Sequence, residues 1–172
     1  MYSIETFIPE QGPATLSELV TLLQDAVTSG ASIGFLPPLS NNEARVYWTS
    51  IFEDVTRKQR VLLIARRNQQ IVGAVQLELS TKSNAQHRAE IQKLFVLQQE
   101  RKHGIGQCLM EAVEAAAHEL GRTLLVLDTR AGDNAERLYR RLQYKEAGSI
   151  PAYARNADGT LDATIIFYKL LQ

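Results

Sequence analysis

The chain has 172 residues, of which 45% are apolar, and its 19 Lys plus Arg are balanced by 19 Asp plus Glu. That length suits one compact domain spanning residues 1–172 with one real core, and the neutral charge balance gives no electrostatic case for nucleic acid or an anionic membrane as partner. The single cysteine, Cys108, cannot close an internal disulfide, so nothing points to an oxidising compartment. The opening Met1-Tyr2-Ser3-Ile4-Glu5 has neither the basic nor the apolar region of a secretory leader, and no apolar run approaches the roughly 18 residues that cross a bilayer. A cytoplasmic location is the expectation.

Taken in chain order, Tyr2 to Ile8 alternates apolar and polar residues and reads as a strand, followed by a turn over Pro9 to Pro13. Ala14 to Ser29 carries Leu16, Leu19, Val20, Leu23 and Val27 at helical spacing, with Gly30 as the stop. After a loop from Ala31 to Leu39, Ser40 and Glu43 form a capping-box pattern for a helix to about Thr56, with Ala44, Tyr47, Trp48, Ile51, Phe52 and Val55 apolar. Three strands are expected next, over Arg60 to Arg66, Ile71 to Leu79 and Ala85 to Leu97. A helix from Gly104 to Leu120 then presents Ile105, Leu109, Val113, Ala116 and Leu120 on one face and ends at Gly121. Thr123 to Asp128 reads as a strand, Asp133 to Leu142 as a short helix, and Tyr144 to Ile150 and Ala163 to Leu170 as the last two strands. The order is βααβββαβαββ, an α+β arrangement of one mixed sheet with helices packed on its faces.

The most informative segment is Arg101-Lys102-His103-Gly104-Ile105-Gly106, between an expected strand and an expected amphipathic helix. The first N–H groups of a helix lack internal partners, and the helix dipole adds partial positive charge there. Glycines let the backbone approach an anion closely. A diphosphate fits this arrangement. The segment has neither the Lys-Ser/Thr of a Walker loop nor the spacing of a dinucleotide fingerprint.

Arg101-x-x-Gly104-x-Gly106 after a long strand, within this element order, resembles the acetyl-CoA loop of the GNAT acyltransferase superfamily. The resemblance covers nearly the whole chain. It implies that acetyl-CoA is the co-substrate, held by Arg101, Lys102, His103, Gly104, Ile105, Gly106 and Gln107, with Leu94, Phe95 and Val96 pairing their backbone with the pantetheine arm. The later Ala135-x-x-Leu138-Tyr139-x-x-Leu142-x-Tyr144 resembles a second family pattern, with two departures. Gly132 stands in place of an asparagine that commonly holds pantetheine, and Gln143 in place of a glycine. Asn134 is the nearby substitute. Arg88 to Leu94, Leu127 to Gly132 and Gly30 to Phe35 resemble, more narrowly, the tabtoxin-resistance acetyltransferases of that superfamily, which act on a β-lactam amino-acid toxin.

Acetyl transfer to an amine needs a base, because an alkylammonium with a pKa of roughly 10 is no nucleophile at neutral pH. It also needs a stabilised thioester oxygen. The narrower resemblance carries general-base roles onto Glu90 and Asp128, and the family carries a general-acid role onto Tyr139. In the alternative readings, Glu90 pairs with Arg88 or Lys93, Asp128 is a cap or turn residue, and Tyr139 is helix packing. The 34–39 loop, Tyr153 and Arg155 are expected around the acceptor. Cys108 reads as a structural thiol. His87, His103 and His118 form no metal-ligand pattern, so no metal is expected. The implied function is N-acetylation of a small-molecule amine, such as a toxin or antibiotic. The competing readings are acetylation of a protein N-terminus or lysine, and a non-catalytic acyl-CoA sensor. A homodimer is compatible with the resemblance.

Overall fold

The computed structural model describes residues 2–172. The elements follow the expected order: β1 (Tyr2–Thr6), α1 (Gly12–Thr28), α2 (Asn41–Thr56), β2 (Arg60–Arg67), β3 (Gln70–Leu79), β4 (Arg88–Val96), α3 (Ile105–Glu119), β5 (Leu124–Arg130), α4 (Asn134–Arg141), β6 (Lys145–Arg155) and β7 (Leu161–Leu170). The strands form one sheet in the order β1-β2-β3-β4-β5-β7-β6. Only β4 and β5 run parallel, and they pair over just three positions, Arg88–Leu124, Ala89–Leu125 and Glu90–Val126. Past Glu90 the two strands part, and the sheet opens between them.

Each face of the sheet has its own apolar cluster. On one, α3 packs Leu109, Met110 and Val113 against Leu63, Val75, Leu77, Ile91, Leu125 and Leu127. On the other, α1 and α2 pack Leu19, Leu22, Leu23, Trp48 and Ile51 against Leu62, Ile64, Ala74 and Phe95. Ser40 caps α2 as the sequence requires: the Glu43 amide donates to Ser40 Oγ at 3.2 Å and the Ser40 amide to Glu43 Oε2 at 3.0 Å.

Several boundaries differ from expectation: β1 ends at Thr6 rather than Ile8, α1 begins at Gly12 rather than Ala14, and β7 begins at Leu161 rather than Ala163. β4 begins at Arg88 rather than Ala85, because the Ala85 amide closes a turn onto Lys82 O at 2.9 Å. β5 continues past Asp128 to Arg130, held by pairing of Asp128, Thr129 and Arg130 with Ile166, Ile165 and Thr164 of β7. β6 runs to Arg155 instead of stopping at Ile150, and Pro151 sits where its register against β7 breaks. A proline is tolerated there because β6 is an edge strand.

A bulge in β4 breaks the period of two. Ala74 faces Phe95 while Gln76 faces Gln92, so β4 holds one residue more than β3 across this stretch. Lys93 takes up the irregularity with φ of 54°. Ile91 therefore packs under α3, whereas Phe95, four residues on, packs under α1 and α2.

The C-terminus of α4 is a Schellman turn. The Tyr144 amide donates to Tyr139 O and the Gln143 amide to Arg140 O, both at 3.0 Å, and the Tyr139 and Tyr144 rings lie 5.9 Å apart. Gln143 occupies the left-handed position with φ of 64°, where glycine is easiest. The departure from the family pattern thus keeps the backbone and forgoes the residue best suited to it.

Gly73 of β3 sets how closely α3 approaches the sheet. A Cβ there would meet Phe95 O at 2.9 Å and Leu109 Cδ1 at 3.1 Å. Gly73→Ala is expected to lower stability by about 1–3 kcal/mol through overpacking, read as a fall in Tm. Gln143→Gly is expected to raise Tm modestly, by relieving about 1 kcal/mol of left-handed strain; an unchanged or lower Tm contradicts this account of the turn.

Candidate active site

The opening between β4 and β5 leads to two cavities that meet. The smaller, about 540 Å³, is lined by the loop before α3, by Leu94, Phe95 and Val96 of β4, and by Asn134 and Leu138 of α4. The larger, about 1020 Å³, lies under the 30–37 loop and is closed on the far side by Tyr153 to Asp158 of the β6–β7 hairpin. Ser29, Gly30, Ala31 and Arg130 line both.

Ten of the eleven residues expected to hold the cofactor line the smaller cavity: Leu94, Phe95, Val96, Arg101, Lys102, Gly104, Ile105, Gly106, Gln107 and Asn134. Gly104 is the N-cap of α3 with φ of 83°, and its carbonyl accepts the first helical bond from the Cys108 amide at 3.1 Å. The amides from Lys102 to Gln107 donate to no acceptor among the described residues. These free donors, at the positive end of a 15-residue helix, match the needs of a diphosphate. On β4, the edge of Leu94 to Val96 that faces β5 has no strand partner.

Two residues of the loop make contacts within the protein. Arg101 turns towards the protein: its guanidinium donates to Val96 O at 3.0 Å and Ser29 Oγ at 2.6 Å, and lies 4.0 Å from Asp25. It braces the loop against the end of α1. His103 lies outside the cavity lining, with Nδ1 3.2 Å from Glu100 O.

The expected catalytic residues are divided. Asp128 lines the larger cavity, and its Oδ2 accepts from Thr164 Oγ1 at 2.7 Å. Asp128 lies inside β5 rather than capping a helix; the N-cap of α4 is Asp133. Glu90 lies on the same sheet face but lines a separate cleft of about 310 Å³ with Arg60, Glu78 and Arg88. Its Oε1 accepts from Gln92 Nε2 at 2.8 Å. Tyr139 is buried and lines neither cavity. Burial first, and the Asp128 carboxylate second, hold its phenol well above its ordinary value. Tyr139 therefore keeps its proton at neutral pH.

The 34–37 part of the loop, Tyr153 and Arg155 line the larger cavity. Cys108 is half-buried with Sγ 3.2 Å from the Tyr2 hydroxyl. The three histidines are exposed, and no group of three or more metal-ligating side chains occurs among the described residues. No helix is long and apolar enough to cross a membrane.

Sequence reading missed three residues. Lys93 lines the larger cavity and donates to Ile33 O at 2.5 Å. Its signal was a lysine at an inward position of the Ala89, Ile91, Phe95 alternation. Thr164, buried, orients Asp128. Arg130 bonds Gly30 O at 3.1 Å, Asp133 Oδ1 at 3.0 Å and Asn156 Oδ1 at 3.2 Å, and so straps together the segments around the junction of the cavities. No local pattern announces either of these two.

Comparison with solved structures finds the same fold across the full chain. An N-acetyltransferase from Staphylococcus aureus Mu50 matches with a TM-score of 0.83 at 19% identity, covering 100% of this chain and 99% of that one. A ribosomal-protein-alanine N-acetyltransferase from Brucella melitensis matches with a TM-score of 0.81 at 24% identity, covering 98% and 99%. An acetyltransferase from Salmonella typhimurium, solved with its cofactor acetyl-CoA, matches with a TM-score of 0.82 at 14% identity, covering 100% and 95%. At these identities the likeness is one of fold. The acetyltransferase (GNAT) family model matches residues 29–144, from the end of α1 to the turn after α4. That match spans more than half of the chain, and the chain belongs to the GNAT family of acetyltransferases.

Proposed function

We propose that the chain transfers the acetyl group of acetyl-CoA to a primary amine of a small molecule, with Asp128 as the principal general base. The observation that carries this reading is the meeting of the two cavities, one with free helix-terminal amides and the other with the Asp128 carboxylate. The smaller cavity receives the donor: the amides of Lys102 to Gln107 hold the diphosphate, and the edge of Leu94 to Val96 that faces β5 pairs with the pantetheine arm through groups other than the Val96 carbonyl, which Arg101 occupies. Asn134 stands close enough to contribute in place of the asparagine that Gly132 replaces.

The acceptor enters the larger cavity as an ammonium ion and gives a proton to Asp128. Its nitrogen attacks the thioester carbonyl, the new C–N bond forms, and the C–S bond breaks. A strand amide near Leu94 or Phe95 stabilises the oxygen as charge builds. The nitrogen loses its second proton as the amide forms, and that proton passes to the departing thiolate; Tyr139, the donor that the family pattern suggests, lies behind the cavity walls and serves only through a relay. Glu90 acts from the neighbouring cleft as a second carboxylate, drawing cations to this face and accepting protons through water. A toxin or antibiotic amine of the tabtoxin type is the acceptor that the narrower resemblance favours. The larger cavity, at about 1020 Å³, is large enough to take a small molecule.

Thiol release from acetyl-CoA with panels of small amines and of peptides tests the reading. Turnover with small amines is expected; turnover confined to peptides favours a protein acceptor, and none with either, alongside tight acetyl-CoA binding, favours a sensor. Asp128→Asn is expected to lower kcat about a hundredfold or more, with acetyl-CoA affinity nearly intact, and Glu90→Gln to lower it less. Wild-type rates in both variants contradict the base assignment. Gly104→Val is expected to weaken acetyl-CoA binding, because a β-branched side chain is strained at its left-handed φ and crowds the amides. Unchanged affinity in a folded variant counts against the loop assignment.

A further inference from the structure

The larger cavity holds charges that the protein leaves unanswered. Its cations are Lys93, Arg130 and Arg155. Arg130 is committed to Asp133, Asn156 and Gly30. Arg155 donates to Gly159 O at 3.1 Å. Lys93 donates to Ile33 O, which engages one of its three N–H groups. It makes no ion pair among the described residues, and neither does the Asp128 carboxylate in the same cavity.

The bulge in β4 gives Lys93 its place. Strict alternation after Ala89 and Ile91 would turn it into the apolar cluster under α3. The extra residue turns it instead towards the 31–37 loop, where Nζ lies 3.5 Å from the position a Cβ would take on Gly34. β-Bulges re-aim side chains in this way. Desolvation lowers the Lys93 ammonium from its ordinary value, while the nearby Asp128 and Glu90 carboxylates oppose that shift. A half-buried ammonium without a close counter-ion is a site for an anion.

A cation beside the base also discriminates among acceptors. A plain monoamine arrives as a cation, attracted by Asp128 and repelled by Lys93. An amine that carries its own anionic group meets both charges favourably. We propose that the acceptor bears a carboxylate beside its reacting amine, and that Lys93 binds this carboxylate while Asp128 receives the ammonium. The inference rests on the reading of the larger cavity as the acceptor site. It makes Lys93 a specificity-determining residue.

The test uses free amino acids paired with their carboxamides, which share the α-amine and differ in the anion. Thiol release gives kcat/KM for each pair with wild type, Lys93→Met and Lys93→Arg. Ligand-observed NMR without acetyl donor gives binding separately. Comparing the acid-to-amide ratio between enzymes cancels the difference in intrinsic reactivity of the two amines. Lys93→Met is expected to lower that ratio about tenfold or more, chiefly through KM, and Lys93→Arg to restore much of it. An unchanged ratio in Lys93→Met overturns the inference, as does an equal loss on acid and amide with a lowered Tm, which would make Lys93 only a tether for Ile33. If neither compound is acetylated, binding decides. An acid preference that vanishes in Lys93→Met keeps the inference and discards the transfer reading, whereas no acid preference in wild type overturns it.

Discussion

The site depends on the brevity of one strand pairing. β4 and β5 are held together only from Arg88 to Glu90 on one side and Leu124 to Val126 on the other. Continued pairing in the same register would bring Leu94 against Arg130 and close the sheet. Because the strands part, backbone groups that a sheet normally satisfies internally stay available to a ligand. The same parting exposes Asp128 at the wall of the larger cavity, while β7 still holds it in place through Thr164.

Two local devices keep the opening in shape. The first is the close contact of α3 with β3 at Gly73, which seats the loop before α3 at the end of β4. The second is the set of polar straps around the rim. Arg101 ties the loop to Ser29, and Arg130 ties Gly30 to Asp133 and Asn156. These arginines hold the site together from its edges, and their contribution is to geometry more than to net stability.

What could be read from the sequence divides along the range of the interactions. The Ser40–Glu43 box, the glycine before α3 and the element order rest on neighbours in the chain, and they appear where local patterns put them. The free helix terminus at 102–107 was legible for the same reason: a helix N-terminus is a local event. Features that depend on distant partners were not. The direction of Lys93 follows from the register of β4 against β3, and β5 outruns its expected end because β7 pairs with it. The separation of Glu90 from Asp128 is of the same kind, since both lie on one sheet face and yet line different clefts. Gln143 shows the converse: its identity departs from the family pattern, yet the left-handed turn it occupies is kept.

The central claim is that the parted strands and the free helix terminus together receive acetyl-CoA. Amide hydrogen exchange with and without acetyl-CoA tests it most directly. The account predicts new protection concentrated at 94–96 and 102–107, with β1 and β2 little changed. Binding without protection at those two segments, or with protection centred on the cleft beside Glu90, would contradict it.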